Sequence, residues 1–432
     1  MKIKTYKEAL EKIFIIEETR DYSLEKVRVA LELLNNPLKN IKVIHITGTN
    51  WKGSTCKMVF SVLKNSGKKV WVFTSPHLVD LKERFLTDIW EITEKEFVEI
   101  LNKIQGAENI LLKEMNFSFF EKCFLMSVLL FEKREVEYAI FEVGFWGLLD
   151  STNVVNPVIT AITSIWIDHT KVLWNTIEEI SFQKAWIIKE GIPIVYNHKN
   201  KIIEDIAKLK NAPIIFTTKK VKTNLIWDFQ EKNASLAFEI CKYLLEQDTH
   251  KGCTLQKYVG VSLVDTLNNL ILEWLQKVVH LWRMQYITPN LLIDWAHNEA
   301  GLLELKKYLL NLWFNKNICR WDCGIPNNIK LCFAQKKWKN WEKILKVFWE
   351  NNYILVESEN KLMVEKAEKL KEILTGWTQG LPLQNSVGVV PCICPIIKTP
   401  DEIYKLSEKN KNNLYVVFWS LYMIWDFIKF VK

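Results

Sequence analysis

Residues 47–55 read TGTNWKGST and gather what a triphosphate site needs. Gly48 and Gly53 flank Lys52, and Ser54 opens a helix-forming run just after the apolar stretch IKVIHI. Backbone N–H groups of a tight turn, with Thr49 and Asn50 in it, and of the next helix's first turn can bind phosphate oxygens. Lys52 would neutralise charge on the β- and γ-phosphates, and the Ser54 hydroxyl would ligate Mg²⁺. The spacing departs from GxxxxGK[ST], because here the lysine precedes the second glycine. Taken alone, the stretch also reads as an ordinary glycine-containing turn between a strand and a helix. Trp51 fits neither reading well, since it sets the bulkiest side chain where bare backbone is wanted.

Three further clusters favour the phosphate site. TSPHL (74–78), FEVGFWGLLDSTNV (141–154) and SIWIDHTKVLWNT (164–176) each follow or end an apolar run. Ser75, Glu142 and His169 thereby fall at the carboxyl ends of expected strands, the edge where open α/β sheets bind ligands. Hard oxygen donors with one imidazole suit Mg²⁺ beside a triphosphate. A lone His or Glu is ordinarily structural; the shared strand-end placement argues for function.

These residues must be positioned by alternating strands and helices. Expected strands are 42–47, 69–74, 138–143, 158–163, 192–196 and 212–216, with helices at 54–64, 93–104, 119–133, 177–188 and 233–246. Strands separated by helices form right-handed βαβ units and a mainly parallel sheet. A break near LWRMQYITPN (281–290) is followed by renewed alternation: LLID, a helix from Glu299, KLCFA, a helix at 341–350, YILVE, and LYVVF (414–418) with a helix after it. The fold class is α/β. It comprises a P-loop-type, mainly parallel domain at 1–283 and a smaller, Rossmann-like α/β domain at 284–432.

Bulk composition excludes several classes. With 432 residues, 49% hydrophobic and 25% charged, the chain has the make-up of a globular enzyme. The net charge of +8 comes from dispersed lysines, which argues against a nucleic-acid partner. No run approaches the roughly 18 apolar residues of a membrane span. The N-terminal MKIKTYKEALEKIF reads as a charged amphipathic helix rather than a signal peptide. Nine cysteines without a CxxC pair read as reduced thiols in a cytoplasmic protein.

In order from residue 45 to residue 425, the motifs TGTNWKGS, TSPHL, EVGFWGLLDSTN, SIWIDHTKVLWNT, KAWIIK, LWRMQ, DWAHN and FWSLY resemble those of the folylpolyglutamate synthase/dihydrofolate synthase family, within the Mur ligase superfamily. The first domain then resembles the Mur ligase central domain. The resemblance implies an ATP-dependent ligase that phosphorylates a substrate carboxylate and joins L-glutamate to the resulting acyl phosphate. The acceptor would be dihydropteroate, a folyl-(poly)glutamate, or both, with ATP and one or two Mg²⁺ as cofactors. The alternatives are a Mur-type peptidoglycan-precursor ligase, against which TSPHL and SFFE argue, or an inactive pseudoenzyme. Members of this family are commonly monomers, so a monomer is implied.

By the same resemblance, residues 48–54 form the phosphate loop, and Ser54, Ser75, Glu142 and His169 are metal ligands. Lys184, in KAWIIK, matches a lysine that carries a carbamate in related ligases. Asn233, Arg283, Asp294 and His297 match residues at the nucleotide. On the acceptor side, Lys26, His77, Arg84, Phe119, Phe120, Glu121, Leu149 and Asp150 are implied. Phe119 or Phe120 would stack on the pteridine, although an aromatic pair on a helix is as often core. Leu148 stands where the family carries arginine, a difference that bears on substrate preference.

The resemblance also bears on Trp51. Family glycines stand where this chain has Trp51, Trp146, Trp166, Trp174, Trp186, Trp282 and Trp419, and commonly at Trp71 and Trp295. The chain holds 19 tryptophans and 14 glycines. A usual glycine share of ~7% would give about 30. Independent mutations would not all choose tryptophan. A single cause would, namely a UGA codon rendered here as tryptophan and read as glycine in the source organism. Only six of the 58 basic residues are arginine, which fits an AT-rich genome.

Overall fold

The β-branched, apolar run Lys42–Thr47 becomes β1, buried over its last five residues. This is seen in a computed structural model that describes residues 2–14, 24–77, 80–86, 92–111, 117–145, 147–166, 176–225, 228–249, 263–278, 285–294, 299–314, 329–333, 353–356, 396–410 and 414–418. The chain falls into two units, Met1–Val279 and His280–Lys432.

In the first unit, α1 (Tyr6–Ile13) and α2 (Glu25–Leu33) precede β1. Then come α3 (Lys52–Asn65), β2 (Val70–Phe73), β3 (Phe85–Leu86), α4 (Glu94–Ile110), α5 (Phe119–Lys133) and β4 (Tyr138–Glu142). They are followed by β5 (Pro157–Ile162), α6 (Ile177–Ala185), β6 (Ile194–Tyr196), α7 (Lys201–Leu209), β7 (Ile214–Phe216), α8 (Asp228–Thr249) and α9 (Leu263–Leu275). The seven strands order as β3-β2-β4-β1-β5-β6-β7. All neighbours pair in parallel except the two-residue edge strand β3, which runs antiparallel to β2.

Strand alternation divides the core between the two faces of the sheet. On β4, Ala139 and Phe141 join a cluster with residues of α1, α2, α4 and α5, while Tyr138 and Ile140 join one with α3, α8 and α9. Helix α5 is apolar almost all round and buries ten residues, so it sits deep against the sheet. Its start is fixed by a capping box in which Ser118 and Glu121 satisfy each other's backbone N–H groups.

At the amino ends of the strands, an ion cluster ties α8 to the sheet. Asp248 receives Lys42 Nζ at 2.7 Å, Lys68 Nζ at 2.8 Å and the Tyr138 hydroxyl at 2.8 Å. Burial would raise the Asp248 pKa, but these three hydrogen bonds bring it down to about 2. A depressed carboxylate stabilises the fold above its unfolded pKa and loses that contribution as pH falls through about 2. After discounting for solvent screening, the contribution is about 1 kcal/mol. Asp248→Asn is expected to lower Tm by about 2–4 °C at pH 7. The difference from the parent should shrink steadily below pH 4, as thermal melts across pH would report.

The second unit has β8 (Gln285–Thr288), β9 (Leu291–Asp294), α10 (Glu299–Phe314), β10 (Ile329–Phe333), β11 (Tyr353–Val356), β12 (Ile396–Lys398), α11 (Pro400–Lys409) and β13 (Leu414–Phe418). Its sheet order is β12-β11-β10-β13-β9-β8, parallel except for β8 against β9. The expected helices at 341–350 and after 418 lie outside the described residues.

Candidate active site

The phosphate-loop candidate sits between β1 and α3, at the sheet's centre. Gly48 has φ +152°, and a Cβ there would lie 2.0 Å from Thr163 Oγ1, so only glycine fits. The loop is strapped to the segment after β5. The Thr49 N–H donates to the Ser164 carbonyl at 2.7 Å, and the Asn50 carbonyl accepts from the Thr163 and Ser164 hydroxyls at 2.7 and 3.1 Å. Lys52 Nζ donates to the loop's own Gly48 and Thr49 carbonyls, at 3.1 and 3.4 Å.

Trp51 caps α3 with φ 63° and ψ 12°, the left-handed region. That conformation costs an L-residue roughly 1–2 kcal/mol and is what glycine adopts freely. The indole lies flat on Phe229 of α8, ring centroids 4.3 Å apart at 18°. Three other tryptophans at family-glycine positions are described. None of Trp71, Trp166 and Trp186 has positive φ. Trp71 is buried in β2, edge-on to Phe131. Trp166 is half exposed. Trp186 buries its indole N–H without an acceptor among the described residues.

Glu142, at the end of β4, is buried and accepts the Ser75 N–H at 3.1 Å. A Cβ placed on Gly53 would lie 3.5 Å from Glu142 Oε2, so this carboxylate faces the first turn of α3. Ser54, in that same turn, is buried and accepts from Gln230 Nε2 at 3.3 Å. Gln230 in turn accepts from Asn233 Nδ2 at 3.0 Å. The structure therefore brings Gly53, Ser54, Ser75 and Glu142 together, and links Asn233 to Ser54 through Gln230. Gln230 was not among the expected site residues; its signal is the i,i+3 spacing to Asn233, which puts both on one helix face. Lys57 lies one turn along α3 from Ser54. Burial lowers its pKa, opposed by Cys56, Glu142 and Glu83. Among the described residues no group of three or more His, Cys, Asp or Glu forms a metal cluster, and His169 lies outside them. The oxygen donors of Ser54, Ser75 and Glu142 are of the kind a hard divalent cation takes, while the helix N-terminus beside them favours anions such as phosphate.

The turn at 144–150 is internally fastened. Asp150 uses both carboxylate oxygens within the chain. Oδ2 accepts the Phe145 N–H at 3.0 Å, and Oδ1 accepts the Thr152 N–H at 3.1 Å and its hydroxyl at 2.6 Å. Since Thr152 donates to Asp150, His45 Nε2 at 2.9 Å must be the donor to Thr152 Oγ1. Burial first, then Lys189, lowers the His45 pKa to about 3, so the ring is neutral. Asp150 thus shapes the turn, while Leu149 beside it is exposed. Lys184 is buried on α6, its Cα 3.0 Å from where a Gly147 Cβ would lie.

Most of the expected acceptor residues also converge. Lys26 and Glu121 form a buried ion pair with each other at 3.0 Å. Arg84 Nε donates to His77 Nδ1 at 2.8 Å, and burial followed by Arg84's charge lowers the His77 pKa to about 4. Phe119 is stacked by Phe14 on α1's C-cap, 4.9 Å away at 13°, and the Arg84 guanidinium lies 5.1 Å from its ring centre. Phe120 lies against Phe73 and closes on Gly144, where a Cβ would come within 2.5 Å of its ring. Phe14 was not foreseen. Asp294 is buried at the end of β9 in the second unit. Arg283 and His297 lie outside the described residues.

Comparison with known proteins matches residues 46–256 to the Mur ligase middle domain. A dihydrofolate synthase/folylpolyglutamate synthase of Bacillus subtilis is 29% identical over 332 residues, covering 68% of this chain and 74% of the relative. A dihydrofolate synthetase of Saccharomyces cerevisiae is 30% identical over 328 residues, again covering 68% and 74%. The chain belongs to the folylpolyglutamate synthase/dihydrofolate synthase family. The fold of this synthase family member agrees: a bifunctional folylpolyglutamate synthase/dihydrofolate synthase from Yersinia pestis superposes with a TM-score of 0.76 at 20% identity, covering 99% of this chain and 98% of the other. That structure is complexed with AMPPNP and a Mn ion.

Proposed function

We propose that this chain is an ATP-dependent amide ligase that adds L-glutamate to dihydropteroate, to folyl-(poly)glutamates, or to both. The observation that carries the reading is the meeting of Gly53, Ser54, Ser75 and Glu142 at the α3 N-terminus, on the carboxyl edge of the sheet. A carboxylate resists amines because it is anionic and lacks a good leaving group. Transfer of the γ-phosphoryl group of ATP to it removes both obstacles. The amine of glutamate then attacks the carbonyl carbon, and phosphate leaves. The chain's task is positioning and charge stabilisation. The backbone N–H groups of residues 48–54 hold the phosphates, and Lys52 swings from its loop carbonyls to meet them. Ser54, Ser75, Glu142 and His169 would hold Mg²⁺, which supplies neutralising charge to the phosphates when bound. A carbamate on Lys184 would turn a buried cation into an anion at that site. Lys26, His77, Arg84, Phe119, Phe120 and Glu121 line the acceptor side. Asn233, Arg283, Asp294 and His297 serve the nucleotide. Residues 1–283 would bind ATP and the acceptor, and 284–432 would supply glutamate contacts.

We also infer that most of the 19 tryptophans are glycine in the natural protein. The left-handed backbone at Trp51, the buried indole N–H of Trp186 with no acceptor among the described residues and the exposed ring of Trp166 support this. Mass spectrometry of the peptide spanning residues 50–57 decides it: glycine at 51 is expected, and tryptophan there, or a UGG codon, ends the idea. The activity test uses protein with glycine at positions 51, 146, 166, 174, 186, 282 and 419. ADP release is expected with glutamate and dihydropteroate or a tetrahydrofolate. Release only with a UDP-muramyl acceptor would overturn the reading.

A further inference from the structure

Lys189 closes the segment KAWIIK, four residues after the end of α6. Its Nζ donates to both oxygens of Asn153, the carbonyl at 2.8 Å and Oδ1 at 2.9 Å. With its oxygen engaged there, the Asn153 amide turns its N–H donors the other way. They reach the Leu148 carbonyl at 3.0 Å and the Trp186 carbonyl at 3.4 Å. Leu148 is held at its other end too, because its N–H donates to the Gln183 carbonyl at 3.0 Å. The contact is close. A Cβ on Gly147 would lie 2.3 Å from the Gln183 oxygen. The turn 147–149 is therefore clamped onto the part of α6 that bears Lys184. One side is held by direct backbone contact, the other by way of Asn153.

Stability alone gives little reason for a lysine at this position. Burial, then the charges of Arg28 and Lys210, hold its pKa down to about 8. A lysine depressed in the folded state opposes folding at every pH below its unfolded value. A cation kept in surroundings that disfavour it, with two oxygens in its grip, is organised for placement.

We propose that Lys189 is a positioning residue for the ligation step: acting through Asn153, it fixes the turn 147–149 against Lys184 and so sets where the acceptor's carboxylate lies. The inference rests on the ligase reading above, and the test separates the two. In the glycine-bearing protein, Lys189→Met is expected to lower kcat/KM for the acceptor acid about thirtyfold while leaving the KM for ATP within twofold. Lys189→Arg, which keeps a multiple donor there, should recover most of the loss. Asn153→Ala should lose a similar factor. The double variant should lose no more than either single one, because both act through one link. Lys189→Arg and Asn153→Ala also keep the test decisive if Lys189→Met does not fold. Additive losses, an equal rise in the KM for ATP, or variants indistinguishable from an active parent would overturn the proposal alone. A parent that is silent with every acceptor would overturn the ligase reading and this inference with it.

Discussion

Trp51→Gly, made in the chain as its sequence stands, is expected to raise kcat/KM for ATP by about a hundredfold, equivalent to roughly 2.7 kcal/mol. Two effects act on stability, and they oppose each other. Glycine relieves the left-handed strain at φ 63°, worth roughly 1–2 kcal/mol. It also forfeits the stack on Phe229, worth roughly 0.5–1.5 kcal/mol beyond burial. Tm should hence move by only a few degrees, and the change in activity cannot be a folding effect. The gain comes instead from function. The indole covers Phe229, next to the Gln230 that reaches Ser54, so removing it opens the α8 side of the loop. Trp51→Ala separates the causes. It removes the indole but keeps a Cβ in the left-handed region, and should recover only part of the gain. Equal recovery by alanine and glycine would show that the ring, not the backbone, is the obstacle. No recovery with glycine would mean that the tryptophan at 51 is not what limits this chain.

Much of this arrangement could be read from residue order, and the exceptions have physical causes. β1 and β13 have the expected bounds, because apolar, β-branched runs buried on both faces signal strand clearly. α5 has the expected bounds, and Ser118 and Glu121 mark its start. α6 ends three residues before the expected 188. Ile187 and Ile188 are buried, but as part of a turn beyond the C-cap at Trp186, and burial alone does not distinguish turn from helix. The expected helix at 233–246 starts five residues after the start of α8 and stops three before its end, so it leaves out Phe229 and Gln230. β3 has two residues and no periodicity to detect. Helices α7 and α9 lie outside the expected set, although α7 is strongly amphipathic. At the candidate site, Ser75 and Glu142 lie beside the α3 N-terminus, a proximity that strand-end placement in a parallel sheet makes legible in the sequence. What residue types could not reveal was how they are used. Phe119 already carries Phe14 and Arg84 on its ring, Lys26 and Glu121 pair with each other, and Asp150 spends both oxygens on its own turn. The first two depend on contacts between segments far apart in the chain, and the third on a turn geometry that residue types do not specify.

Glu142→Gln, in the glycine-bearing protein, is expected to lower kcat by about 10²–10³, comparable to removing one preorganised electrostatic group from an active site. The substitution is nearly isosteric. The glutamine oxygen can still accept the Ser75 N–H, which now lies 3.1 Å from Oε2, so the backbone at the cis Ser75–Pro76 bond keeps its anchor. The negative charge is what disappears. That charge faces the first turn of α3, where the amides proposed to hold phosphate begin, and an anion at a helix N-terminus is worth roughly 0.3–1 kcal/mol to the fold. A stability loss of that size would shift Tm by at most a few degrees. If the charge serves instead to hold a divalent cation against the triphosphate, the metal concentration needed for half-maximal activity should rise at least about tenfold. Titrating Mg²⁺ and Mn²⁺ against ADP release distinguishes these roles. A variant with the parent's kcat and metal requirement would confine Glu142 to anchoring Ser75. A variant inactive at every metal concentration but folded would place the charge in the reaction itself, because added cation cannot replace a group needed after binding.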